Sequence, residues 1–221
     1  MTTAATLVSI QVGLPRALGS DAAVDQFDKA WTTGIFKAPV DGPVVVRATC
    51  IEGDGQADLE NHGGRDKAIC AYSADHYDHW RRQLGRQDFL HGAFGENFTI
   101  RRLDETEVCV GDVYGLGDVR LQVSQPRQPC WKLARKWRIK DFADQVIKSG
   151  QTGWYFRVLQ EGTVARGAGF ELIERPHPEW TIAAANLVMH GRPIDVPASA
   201  RLAVVPVLAE SWQRKLRSRA D

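Results

Sequence analysis

The sequence predicts a mainly β protein with flanking helices, of the α+β class, that ends in a small helical appendage. Short strand-like segments separated by glycine and proline dominate most of the chain. The pattern changes after Pro176-His177-Pro178, where helical spacing and capping residues take over. A length of 221 residues suits one domain, or one domain with an appendage, and allows a core without disulfide staples.

The predicted strands are apolar or β-branched runs bounded by turn residues. The run PVVVRATCI, for example, lies between the turn Asp41-Gly42 and Gly53. Repeated short strands with such turns indicate a β-barrel or a sandwich. The predicted strands cover residues 7–12, 43–51, 67–72, 107–114, 118–124, 153–159 and 169–174.

Two helices are predicted among the strands, at residues 74–84 and 142–149. The appendage is predicted to hold three more. Its first helix, residues 182–190, has Thr181 as N-cap and ends at Gly191. The other two cover residues 199–205 and 208–217, on either side of Pro206.

Composition narrows the class of protein. Lysine and arginine total 28 against 27 acidic residues, and the net charge of +1 argues against a nucleic-acid coat or a membrane-surface protein. Apolar runs are shorter than the ~20 residues that span a bilayer. No basic residue precedes Arg16, so we expect no secretory signal and a cytoplasmic location. Four cysteines without a CxxC pair suit a reducing compartment and exclude zinc-ribbon and iron–sulfur patterns.

The densest polar stretch is residues 52–67, EGDGQADLENHGGRDK. Its acidic spacing does not fit a calcium loop. The run His62-Gly63-Gly64-Arg65 offers backbone N–H groups beside cations, which suits a phosphate. A solvated hairpin loop explains the same stretch equally well. Residues 91–97 could form a further wall of such a site or an ordinary connecting turn.

A second unusual stretch is SQPRQPCWK at residues 124–132, in which two prolines precede Cys130 and several basic residues lie nearby. Pro126 and Pro129 should stop both strand and helix. Nearby cations favour the thiolate, the nucleophilic and metal-binding form of cysteine. With Trp131 and Trp137 for stacking, the basic run also suits nucleic acid, although the neutral overall charge makes that interpretation weaker. The basic residues are Arg127, Lys132, Arg135, Lys136, Arg138 and Lys140.

The remaining cysteines and histidines point less clearly to chemistry. Cys50, Cys70 and Cys109 lie in apolar strand patterns, where a thiol is usually a buried, inert hydrophobe. His76 and His79 have a spacing that could ligate zinc, but packing and surface roles fit the amphipathic segment better.

Several of these segments together resemble the YiiM group of MOSC-domain proteins, named after the C-terminal domain of molybdenum cofactor sulfurase. The resemblance implies a MOSC β-barrel domain over residues 1–175, with its core at about 30–170, and a three-helix domain over residues 176–221. The matching segments are TGIFKAPV (33–40), residues 53–67 with HGGRDKA, FGEN (94–97), VCVGD (108–112), VSQPRQPCWKL (123–133) and, in the tail, ESW (210–212).

The resemblance also implies a molybdenum cofactor, Mo-molybdopterin, with Cys130 as metal ligand and catalytic residue. A soft thiolate suits such a metal. The residues expected to bind the cofactor lie in the matching motifs and can pair with phosphate or pterin. They are Lys37, His62, Lys67, Asn97, Ser124, Gln125, Arg127 and Cys130.

Proteins of this kind reduce N-hydroxylated compounds, including hydroxylaminopurine base analogues, so the resemblance implies that activity and a small N-hydroxylated substrate. Because the chain has neither a GxGxxG fingerprint nor an iron–sulfur cysteine set, electrons are expected from an external flavoprotein reductase. The alternative is a carrier in which Cys130 holds a persulfide or the cofactor without turnover. No membrane partner is expected, nucleic acid is the weaker option, and a homodimer is compatible with the sequence.

Overall fold

A computed structural model describes residues 5–220 and divides them into twelve strands and seven α-helices. The strands are β1 Thr6–Val12, β2 Arg16–Leu18, β3 Trp31–Thr33, β4 Ala38–Pro39, β5 Val44–Val46, β6 Ile69–Ser73, β7 Phe98–Arg101, β8 Val113–Leu116, β9 Val119–Pro126, β10 Trp154–Gln160, β11 Gly162–Val164 and β12 Glu171–Glu174. The helices are α1 Leu59–His62, α2 Tyr77–Leu84, α3 Trp131–Trp137, α4 Phe142–Ser149, α5 Ile182–His190, α6 Val196–Ala203 and α7 Glu210–Ala220.

A curled eight-stranded sheet forms the centre of the molecule, in the order β12-β8-β9-β10-β6-β7-β1-β4. Neighbouring strands are antiparallel except β6 and β7, which run parallel. Two small ribbons, β11-β5 and β2-β3, complete the β structure of the described chain. The predicted α+β class, with a barrel-like sheet followed by a helical tail, is confirmed.

Several predicted elements agree with the structure to within a few residues, and α4 and α5 agree at both ends. The strand predicted at residues 107–114 is mostly wrong, because only its end joins the sheet as β8. Residues before Val113 form a turn in which Gly111 has φ +88° and the Asp112 carboxylate accepts from the Cys109 backbone N–H at 2.9 Å. Neither feature is compatible with a continuous strand.

The prediction at residues 43–51 is too long. Strand β5 ends at Val46, and the chain turns so that Arg47 N–H donates to the Cys50 carbonyl at 2.8 Å. At the cysteine motif, β9 ends at Pro126 as expected, but helix α3 begins directly after Cys130. The sequence did not indicate α1, α3 or the short strands β2, β3, β4, β7 and β11.

The hydrophobic core is continuous between the sheet and the tail. Leu7, Ile10 and Val123 of the sheet belong to the same buried cluster as Leu202 and Trp212 of the tail helices. The tail begins with α5, whose N-cap Thr181 accepts from Ala184 N–H at 3.0 Å. The domain boundary between residues 175 and 176 stays a prediction, since one hydrophobic core continues across it.

A second, aromatic cluster lies between α2, α4 and the loop before β7, with Tyr72 stacked on Phe94 at a centroid distance of 4.0 Å. Among residues 5–220, no helix combines the length and the apolar character needed to cross a bilayer.

Candidate functional site

Four adjacent strands bring polar side chains to one end of the sheet. Arg127 follows β9, Tyr155 lies in β10, Cys70 lies in β6, and Asn97 immediately precedes β7. Tyr155 is the register partner of Cys70, and Asn97 N–H donates to the Cys70 carbonyl at 2.8 Å. Arg127 N–H donates to the Gly153 carbonyl at 3.0 Å. The sheet order therefore places residues from distant parts of the chain side by side.

A cleft of about 600 Å³, including its open mouth, lies over this end of the sheet. Loops at residues 33–37, 55–67 and 94–97 and the segment 127–132 form its walls. Lysine, arginine and histidine side chains line it, and no aspartate or glutamate of residues 5–220 does so. These side chains are Lys37, His62, Lys67, Arg127 and Lys132, besides the thiols of Cys70 and Cys130.

Close approach between two of these loops requires glycine. A methyl group added to Gly34 would lie 2.4 Å from the Gly55 carbonyl oxygen. Gly95 has φ +77°, and a methyl group there would lie 2.7 Å from the Ile35 side chain. Both positions exclude larger residues, so these glycines set the width of the cleft.

Arg127 is the deepest cation of the cleft and is only 6% exposed. Its Nη2 donates to the Phe94 carbonyl at 2.5 Å. Its Nη1 is buried and has no hydrogen-bond partner in the described chain, and no carboxylate of that chain forms an ion pair with it. A buried cation with an unused donor is costly unless something else satisfies it. The orphaned Nη1 therefore indicates a site for an anion.

Lys132, Lys67 and His62 add to this positive field. Lys132 is buried and forms no ion pair within residues 5–220, while Lys67 Nζ donates to the Asn61 carbonyl at 2.6 Å. Burial and the charge of Lys132 lower the pKa of His62, so its imidazole is mainly neutral at pH 7. The Asp58 carboxylate lies 3.4 Å from His62 Nδ1, but without hydrogen-bond geometry.

Lys37 and Asn97 belong to a buried polar network under the cleft. Asp54, whose side chain is fully buried, forms an ion pair with Lys37 and accepts from Asn97 Nδ2 at 2.9 Å and from Gly13 N–H at 2.9 Å. Asn97 Oδ1 also accepts from Cys70 N–H at 3.0 Å. This network connects the segments that carry Lys37 and Asp54 to strand β6 through Asn97 and Cys70.

The two thiols of the cleft differ in their exposure to solvent. Cys130 is half-buried and immediately precedes helix α3. Cys70 is buried, and burial raises the pKa of its thiol to about 11. All four cysteines are free thiols. Cys130 is therefore the more accessible sulfur for a metal or an electrophile.

The predicted site residues come together with two exceptions. Ser124 donates to the carbonyls of Asp66 and Tyr155, and Gln125 Oε1 accepts from Ser211 Oγ of α7 at 3.3 Å. Neither lines the cleft, and both stay predictions as cofactor ligands. The predicted residues that line it are Lys37, His62, Lys67, Asn97, Arg127 and Cys130.

Sequence reasoning missed Cys70 and Tyr155, which lie inside strand patterns with no local signal of a site. It also expected Cys50 to be buried with Cys70 and Cys109, but Cys50 is half-buried. The open question about residues 91–97 is settled, since Phe94, Gly95 and Asn97 form a wall of the cleft. Glu96 is buried and accepts from the backbone N–H groups of Gly92 and Phe94.

The basic residues around Cys130, from Arg127 to Lys140, lie in different environments. Arg127 and Lys132 line the cleft, and Lys136 Nζ donates to the Gly92 carbonyl at 2.7 Å. Burial lowers the pKa of Lys136 to about 8. Arg138 pairs with Asp25 and Asp28 at 2.6 Å. The run is thus no continuous basic surface of the kind that tracks a nucleic-acid backbone.

Two family models match this chain. The model described as MOSC domain matches residues 58–171, and the model described as YiiM-like, 3-alpha helix domain matches residues 180–220. The chain belongs to the MOSC-domain family, in its YiiM-like branch. The resemblance drawn from the motifs is thereby confirmed.

Relatives of this YiiM-like MOSC chain match 80% or more of its length. YflK of Bacillus subtilis (strain 168) is 41% identical over 216 residues, 98% of this chain and 95% of YflK. A protein named Reductase from Gibberella moniliformis is 36% identical over 179 residues, 80% of this chain and 32% of that protein. The crystal structure of YiiM from Geobacillus stearothermophilus, 37% identical, superposes with a TM-score of 0.81 and covers 98% of this chain and 100% of that one.

Proposed function

We propose that the cleft binds the molybdenum cofactor and that the protein reduces N-hydroxylated compounds. The observation that carries this proposal is the orphaned Nη1 of Arg127 in a cleft lined by cations and no carboxylates, beside the accessible Cys130 thiol. MOSC domains are associated with this cofactor, and the relative named Reductase supports a redox role.

The side chains present fit such a group. Its phosphate is an anion that Arg127, Lys132 and Lys67 would hold by charge-assisted hydrogen bonds. Its metal would take the Cys130 thiolate, because a soft sulfur ligand suits a thiophilic metal. Lys37 and Asn97 are already bonded to Asp54, so they would shape the floor of the cleft.

When bound, the cofactor supplies two-electron chemistry at the N–O bond. The balanced reaction consumes an N-hydroxylated amine, two electrons and two protons, breaks the N–O bond, and yields the amine and water. The chain orients the cofactor, and Arg127 and Lys132 offset negative charge in the cleft. The two electrons would come from an external flavoprotein reductase. We place the reaction in the cytoplasm, where free thiols persist.

A carrier role is the alternative, favoured by the half-buried position of Cys130 beside an open cleft. In that case Cys130 would hold sulfur or the cofactor for delivery to another protein. Binding would then occur without reduction of any N-hydroxylated compound.

The test uses protein made in a cofactor-competent host, with molybdenum and pterin measured and 6-hydroxylaminopurine reduction assayed with reduced methyl viologen. We expect the wild-type protein to contain the cofactor and to reduce the substrate with reduced methyl viologen. NADH alone should not support this reduction. Cys130→Ala should lose metal and activity while keeping its melting temperature, because its thiol is half-exposed. The matched control Cys50→Ala, also half-buried but outside the cleft, should keep both.

Wild-type protein without molybdenum, or a Cys130→Ala variant that stays loaded and active, would overturn the proposal. Cofactor binding without turnover would favour the carrier.

A further inference from the structure

A second groove lies against helix α3, whose residues Trp131, Ala134 and Arg135 line it. Trp131, the residue after Cys130, is 54% exposed and forms one wall. The exposed part of its ring gives the groove an apolar, flat surface. The other lining residues are Asp25, Gln26, Phe27, Lys29, Ala134, Arg135 and Lys140.

Trp31 and Arg135 hold the Trp131 ring in place. Its centroid lies 5.5 Å from that of Trp31, and the Arg135 Cζ lies 5.4 Å from the Trp131 centroid and 5.1 Å from the Trp31 centroid. Arg135 Nε in turn donates to the Gln26 carbonyl at 3.1 Å. An aromatic surface held in this way stacks on a planar ligand at low entropic cost.

The groove is electropositive. Lys29, Arg135 and Lys140 line it, and its one acidic lining residue, Asp25, is paired with Arg138 at 2.6 Å. Lys140 is exposed and forms no ion pair within residues 5–220. The complement of this groove is therefore a ligand that joins a planar ring to a negatively charged group.

The groove also adjoins the cleft. Lys132 lines the cleft, and its Nζ lies 6.0 Å from the Trp131 ring centroid. A ligand whose ring lies on Trp131 is thus next to the segment that carries Cys130.

We propose that this groove binds nucleotides, with the heteroaromatic ring stacked on Trp131 and the phosphate near Lys140. The consequence for turnover, which rests on the proposed function, is that N-hydroxylated nucleotides are better substrates than the free bases. Trp131 is then a specificity residue, and its contribution is to binding rather than to the N–O cleavage step.

Calorimetric binding of AMP, adenine and ribose 5-phosphate to the full chain tests the groove without any activity assay. We expect AMP to bind about tenfold tighter than either fragment. Trp131→Ala should weaken AMP and adenine binding by about tenfold, and Trp131→Phe should restore most of the affinity. Lys140→Ala should weaken AMP but not adenine, while Lys148→Ala, an exposed lysine on α4, should change neither.

An AMP affinity that Trp131→Ala leaves unchanged would overturn the proposal. So would loss of AMP binding in Arg127→Met with Trp131→Ala unaffected, because the nucleotide would then occupy the cleft.

The loaded enzyme separates this proposal from the proposed function. We expect Trp131→Ala to raise KM for hydroxylaminopurine and its nucleotide at unchanged kcat, and Lys140→Ala to raise KM for the nucleotide alone. AMP binding that depends on Trp131 in a protein with no reductase activity would support nucleotide binding in the groove and contradict the proposed function. Reduction of the free base and of the nucleotide with equal KM would contradict nucleotide binding in the groove.

Discussion

The turn before β8, which we call the Asp112 corner, and the cleft around Arg127 each contain a buried charge. The two charges differ in how completely they are hydrogen-bonded. Asp112 is fully buried, and its two oxygens accept from Arg175 at 2.9 and 2.7 Å, from Cys109 N–H at 2.9 Å and from Tyr114 Oη at 3.1 Å. Arg127 is nearly as buried, but one of its terminal nitrogens has no hydrogen-bond partner among residues 5–220. The same barrel thus satisfies one charge completely and leaves another open.

The difference separates charges that hold the fold from a charge kept for a ligand. Glu96 follows the pattern of Asp112, since it accepts from Gly92 N–H at 2.7 Å, from Phe94 N–H at 3.1 Å and from Thr99 Oγ1 at 2.9 Å. A buried charge without full pairing lowers stability, and such local conflicts concentrate at functional sites. Arg127 is the clearest case of this kind in the cleft.

The largest effect expected from this comparison is on the paired corner. Asp112→Ala removes the carboxylate partner of Arg175 and leaves the Cys109 N–H and the Tyr114 hydroxyl without their acceptor, so it should lower the free energy of unfolding by about 3–5 kcal/mol. Urea unfolding followed by circular dichroism measures this. The exposed Asp118→Ala on the β8–β9 turn serves as control and should change little. Equal, small effects of the two variants would mean that the corner does not hold the fold.

Much of this arrangement could be predicted from sequence, and the exceptions have physical reasons. Cys130, Arg127 and the HGGRDK run were identified because prolines, glycines and clustered bases are visible locally. Cys70 and Tyr155 were not, because their place in the cleft depends on the strand order β9-β10-β6-β7, which brings distant strands together.

Ser124 and Gln125 are the opposite case, because they were predicted as site residues but do not line the cleft. Both lie in the predicted motif, yet the Ser124 carbonyl accepts from Ala209 N–H at 2.9 Å and Gln125 accepts from Ser211 of α7. The helical tail covers this end of β9, and no local pattern indicates which residues a distant helix will cover. The turn before β8 was missed for a similar reason, since Arg175, far along the chain, completes the bonding of Asp112.

A smaller effect is expected from histidines that titrate in opposite senses. Burial acts to lower the pKa of His76, but its 2.6 Å hydrogen bond to Glu105 and the Glu105 charge raise it above the usual value. The stabilisation that protonated His76 gains from Glu105 is therefore complete below pH ~6.5, and it is lost as pH rises through the raised pKa of His76. His62, whose pKa is lowered, contributes in the other direction and loses stability as pH falls.

Unfolding free energies measured from pH 5 to 9 check this behaviour. The difference between wild type and His76→Ala should be largest at low pH and shrink as pH rises, remaining well below the cost of Asp112→Ala. A difference that grows with pH would reverse the assigned role of Glu105.

The most direct test of the central claim, that Arg127 is left unpaired for an anion, is urea unfolding of cofactor-free wild type and Arg127→Met with and without inorganic phosphate. Without phosphate the two should agree within about 1 kcal/mol, because the lost bond to Phe94 is offset by removal of an unpaired buried charge. Phosphate should stabilise wild type and leave the variant unchanged. A variant that loses as much stability as Asp112→Ala, yet responds to phosphate like wild type, would contradict the claim.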